Sequence, residues 1–94
     1  MKITFKANSY VTLPQDWIES LPQCGSCDTA ISQIMMFNKI TCDRDEAIDY
    51  LTHVGFDEPD TLNEESSDTL VSRVLWIAML DCRENQSTNW YFGM

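Results

Sequence analysis

Positive charge is scarce in this 94-residue chain. Six lysines and arginines face fifteen aspartates and glutamates, for a net charge of −9. That balance argues against gripping DNA or RNA by phosphate neutralisation and against an anionic membrane surface; it favours a basic partner surface. Long apolar runs are lacking too. The longest, at 74–80, falls far short of the roughly 20 residues a membrane helix needs. The N-terminus, Met1-Lys2-Ile3-Thr4-Phe5-Lys6, alternates instead of offering a signal-length apolar stretch. A cytoplasmic protein with reduced cysteines is therefore expected, no membrane contact among its roles. In an oxidising compartment the four cysteines would allow three disulfide pairings. Catalytic motifs are also missing. There is one histidine, His53, and no GxSxG, HExxH, GxGxxG or phosphate loop. The expectation is a protein that is not an enzyme. Hydrophobic residues make up 44% and charged residues 22%, which supports a folded core over disorder.

A chain this short is expected to form one domain, residues 1–94. Ile3, Phe5 and Ala7 alternate with polar residues as in a half-buried strand, and Asn8-Ser9 is a turn signal before Tyr10-Val11-Thr12-Leu13. A short helix is expected from about Pro14, carrying Trp17, Ile18 and Leu21 and stopped by Pro22. A second starts at Ser26 or Asp28 and carries Ile31, Ile34 and Met35. The third is the best punctuated. Asp43 and Glu46 have capping-box spacing, Ala47, Ile48, Leu51 and Val54 form its apolar face, and Gly55-Phe56 closes it. Residues 57–66 read as a loop, and a fourth helix follows from about Ser67 to Glu84 with Trp76 in its core. Trp90-Tyr91-Phe92 reads as a last strand. The expected class is α+β: a small antiparallel sheet made of the N-terminal hairpin and the C-terminal strand, packed with three to four helices. An all-α fold is the alternative.

The acidity is confined to one stretch. Residues 1–42 and 69–94 each sum to zero, so the whole −9 comes from residues 43–68. There Asp43, Asp45, Glu46, Asp49, Asp57, Glu58, Asp60, Glu64, Glu65 and Asp68 face Arg44 alone. One reading is a solvated face whose first carboxylates complement a helix N-terminus. The sharper one is a recognition surface. Asp45 and Asp49 lie one turn apart, where like charges cost about 0.2–0.5 kcal/mol. A basic groove on a partner would relieve that cost and speed association. Nucleic-acid-handling proteins present such grooves. In size, acidity and lack of catalytic motifs the chain resembles the phage and plasmid anti-restriction and anti-CRISPR proteins that act as DNA mimics, though antitoxin-like and adaptor proteins share that character. The resemblance implies an inhibitor or modulator of a nucleic-acid-binding complex, working in the host cytoplasm where phage-encoded, with no direct nucleic-acid contact of its own.

Cys24-Gly25-Ser26-Cys27 is a CxxC at an expected helix start, where a thiolate is favoured. It looks like the CGPC of thioredoxin-like proteins but lacks the surrounding βαβ pattern. The same pair has metal-knuckle spacing. Cys42, with His53 or Cys82, would complete a tetrahedral zinc site and make the chain a zinc- or thiol-based structural or regulatory domain. Alternation along Trp90-Tyr91-Phe92 leaves either Tyr91 or the Trp90–Phe92 pair outside, where exposed aromatics would serve a homodimer.

Overall fold

The computed structural model describes residues 2–21 and 27–93, apart from the side chains of Cys27 and Asp28. The elements run β1 (Lys2–Phe5), β2 (Ser9–Thr12), α1 (Gln15–Ser20), α2 (Cys27–Phe37), β3 (Lys39–Cys42), α3 (Arg44–His53), α4 (Pro59–Asn63), α5 (Ser67–Asn85) and β4 (Asn89–Phe92). The expected α+β class is the one found.

The strand partners differ from the hairpin that the turn signal suggested. β1 pairs in parallel with β3, matching Lys2 to Lys39, Ile3 to Ile40, Thr4 to Thr41 and Phe5 to Cys42. β2 pairs antiparallel with the C-terminal strand β4, as Tyr10 to Tyr91 and Val11 to Trp90. The reason lies in the connection between β1 and β2. Its amides are used elsewhere: Ala7 N–H donates to Glu46 Oε2 at 3.1 Å, and Asn8 N–H to Phe92 O at 2.6 Å. Asn8 takes the left-handed conformation, φ 61°, that aims its amide at β4. β3 carried a signal of its own, since Lys39-Ile40-Thr41 repeats the Lys2-Ile3-Thr4 alternation. The Thr4 and Thr41 hydroxyls meet at 3.1 Å across that ladder.

Both ladders turn their apolar sides into one core. Phe5 meets Trp90 and Phe92 edge-on at 5.8 and 6.2 Å, and Tyr50 of α3 meets the same two rings at 5.6 and 5.0 Å. Such edge-to-face pairs add about 0.5–1.5 kcal/mol each beyond the area they bury. α5 crosses the centre, burying Leu70, Val71, Val74, Leu75, Ala78, Met79 and Cys82. Trp76 departs from its expected place in the core: it is half-buried, with its ring edge-on to Phe56 at 6.2 Å.

The helix ends largely follow their sequence cues. Asp43 accepts from the Asp45 and Glu46 amides, and Ser66 accepts from the Thr69 amide. α3 closes through Gly55 at φ 78°, with Gly55 N–H to Thr52 O at 3.1 Å and Phe56 N–H to Leu51 O at 2.9 Å. These are the two bonds of a Schellman closure, and only glycine takes that φ without strain. The segment read as a loop contains α4, started by Pro59 in its first turn. Expectations on Pro22 and Ser26 lie outside the described residues. Among those described, no helix is long and apolar enough to cross a membrane.

Candidate acidic interface

The ten carboxylates of residues 43–68 fall into two groups. Asp43, Asp45, Asp49, Asp57, Glu58, Asp60, Glu64 and Asp68 are exposed, whereas Glu46 and Glu65 are half-buried. The exposed eight are spread over α3, the connection after it, α4 and the first turn of α5. α3 packs against both α4 and α5, which gathers these three short stretches of chain into one region.

Several of the eight sit where a helix N-terminus stabilises a negative charge. Asp43 caps α3, Glu58 precedes α4, and Asp45, Asp60 and Asp68 stand in first turns. Asp57 Oδ1 accepts from the Glu58 amide at 2.8 Å. Two acids have no such support. Asp49 is exposed one turn beyond Asp45 on α3, and Glu64 caps the C-terminal end of α4, where the helix dipole is negative. Charge at those two positions carries a local cost.

The one base of the segment does not offset this. Arg44 Nη2 donates to the carbonyls of Asn63 at 2.8 Å and Glu65 at 2.7 Å, and Nη1 donates to Ser67 Oγ at 3.3 Å. The guanidinium thus ties the start of α3 to the α4–α5 connection and neutralises carbonyl dipoles at the end of α4, where a cation is favoured. Its positive charge is held at the α4–α5 connection.

Glu46 and Glu65, both expected to face a partner, play other parts. Glu46 was expected to reach back to its own N-cap. Its carboxylate instead accepts the Ala7 amide and fixes the β1–β2 connection onto α3. Glu65 Oε2 is buried without a hydrogen-bond partner among the described residues.

The thiols give no redox or metal centre that the described residues can support. Cys24 and the side chain of Cys27 lie outside them. Cys42 and His53 flank α3 at opposite ends, and its ten residues separate them by about 15 Å at 1.5 Å per residue, so they cannot share one zinc ion as the spacing had suggested. Among the described residues no three histidine, cysteine, aspartate or glutamate side chains gather around a common point. Burial, reinforced by Glu46 and Asp43, pushes the Cys42 thiol up to about 12. Burial and Asp81 raise Cys82 as well. Both are protonated at neutral pH, which disfavours nucleophilic chemistry at either thiol.

A cavity of about 300 Å³ lies between α1 and the end of α5, lined by Gln15, Ile18, Glu19, Cys82, Arg83, Gln86 and Ser87. It contains neither the histidine nor a pair of carboxylates. The C-terminal aromatics are also resolved: Trp90 and Phe92 point inward, while Tyr91 is 47% exposed beside Tyr10 at 67%. No family model, curated protein or solved structure matches the chain.

Proposed function

We propose that this protein is a non-enzymatic inhibitor or modulator that docks its acidic helical face on a basic surface of a nucleic-acid-handling protein, acting as a DNA mimic. The observation that carries the reading is the use made of Arg44. Arg44, the one lysine or arginine within residues 43–68, is tied to the Asn63 and Glu65 carbonyls, so eight exposed carboxylates are set against a single positive charge that is held in place. A basic groove would repay the repulsion at Asp49 and the unfavourable placement of Glu64, and complementary potentials would speed encounter.

The charge count bounds the footprint. Duplex DNA carries one negative charge per about 1.7 Å, so eight carboxylates stand in for roughly 14 Å, or about four base pairs. The partner site that fits is therefore a short, strongly basic grip and not a long channel. The protein would act in the cytoplasm, that of the host where a phage encodes it.

Reversing Asp45, Asp49, Asp57 and Glu58 to lysine tests the reading. The fold should persist by circular dichroism, because all four side chains are exposed. Capture of a partner from the native host should be lost, and wild-type capture should weaken as salt rises. Capture that survives the reversals, or that ignores salt, refutes it.

A further inference from the structure

A second charged surface lies on the strands. All three lysines of the chain are there. Lys2 and Lys39 are exposed and stand directly opposite each other in the β1–β3 ladder, and exposed Lys6 follows β1. Like charges placed opposite in a ladder repel. The other outward strand positions are threonine, asparagine and tyrosine, with no carboxylate among them. At the centre of the β2–β4 ladder the rings of Tyr10 and Tyr91 pack at 4.9 Å and remain largely exposed. Aromatic residues such as these are enriched in protein interfaces. On a chain of net charge −9, strands whose outward positions carry lysine and no carboxylate suit an anionic protein surface.

We infer that this lysine–tyrosine face binds the acidic helical face of a second copy of the chain, head to tail. The two faces are complementary in charge and share no residue. Each also carries like-charge crowding, Lys2 against Lys39 and Asp45 against Asp49, which docking relieves. A nucleic acid is the poorer occupant. Three lysines neutralise few phosphates, and the remaining charge of the chain repels a polyanion.

The same argument fixes the salt dependence. At about 0.01 M salt the Debye length is about 30 Å, close to the 33 Å longest dimension of the molecule, so two copies feel each other's full net charge and repel. At about 0.15 M it falls to about 8 Å, and the contact pairs prevail over the net repulsion. At about 1 M it is about 3 Å, and the contact pairs are screened too. Association therefore peaks at intermediate salt. Contact between unlike faces repeats head to tail, closing into a ring where the rotation between copies allows and otherwise continuing as an open chain. In such an assembly an acidic face is covered until a more basic partner displaces the neighbouring copy, an outcome that rests on the reading proposed above.

Sedimentation velocity of the full chain at those three salt concentrations, over a wide range of protein concentration, tests this. Wild type should form oligomers chiefly at about 0.15 M. Chains carrying Lys2→Glu with Lys39→Glu, or Asp45→Lys with Asp49→Lys, should each be monomeric. Mixed in equal amounts they should form a one-to-one complex and nothing larger, since each keeps one of the two faces. Lys6→Glu, outside both ladders, should weaken wild-type assembly by roughly tenfold and serves if the ladder variant does not fold. Three results overturn the inference: a wild type that is monomeric at every salt, a dimer that persists in both double variants through a Tyr10–Tyr91 contact, or a monomer that binds single-stranded oligonucleotide on this face. The two readings separate cleanly, because Lys2→Glu with Lys39→Glu abolishes self-assembly and leaves capture of a basic partner intact.

Discussion

The backbone amide of Ala7, in the connection after the first strand, donates to the carboxylate of Glu46 on α3 at 3.1 Å. The bond joins positions 39 residues apart and is partly shielded from water. It takes one acid out of the exposed set and makes it part of the frame that holds β1 against the helices.

Glu46→Ala should therefore cost about 1–3 kcal/mol, because the Ala7 amide loses its acceptor. Asp49→Ala should shift stability by no more than about 0.5 kcal/mol and in the stabilising direction, since it removes a repulsion with Asp45 and no bond. Urea unfolding of the two variants makes the comparison. Equal effects would mean that the two carboxylates are alike in role.

Arg44→Met keeps much of the side-chain length and removes the guanidinium. The Asn63 and Glu65 carbonyls lose their donor, at a cost of about 1–3 kcal/mol. The loss should be local to the α4–α5 connection. Hydrogen exchange should quicken at the amides of α4 while those in the middle of α5 keep their protection.

Alkaline pH should destabilise the protein. Cys42 is pushed from an ordinary 9.0 up to about 12, chiefly by burial and then by Glu46 and Asp43. Tyr50 is pushed from 10.0 up to about 12 by burial and Asp81. In both cases the unfolded chain releases its proton first. The stability held in the protonated forms is complete below about pH 9 and drains away as pH rises toward about 12. Urea midpoints at pH 7.5 and 10.5 should show the fall, and Cys42→Ala with Tyr50→Phe should flatten it. An unchanged slope in the double variant would assign the alkaline loss to other groups.

The parts of the fold legible in the sequence are those set by neighbours along the chain. The Asp43 cap, the Gly55 closure, the span of α5 and the alternation along Trp90-Tyr91-Phe92 all follow from residues within a turn or two of one another, while which side of that alternation faces the core does not. β1 and β2 were legible as strands, but their pairing was not, because a turn signal says that the chain bends and not which amides close the ladder. β3 was hidden between a helix end and a cysteine read as a metal ligand, although its Lys-Ile-Thr alternation matches β1. α4 is too short for periodicity to register.

The candidate site divides the same way. The concentration of charge between residues 43 and 68 is a property of the sequence alone, and so is the presence of a single base within it. Which carboxylates face solvent was decided only by tertiary structure. Glu46 is claimed by an amide 39 positions away, and Arg44 by carbonyls about twenty positions away. A hydrogen bond depends on distance in space, and a chain that folds back on itself brings together groups whose separation along the sequence carries no trace of the contact. For the same reason Lys2 and Lys39 read as isolated charges until the parallel ladder set them side by side.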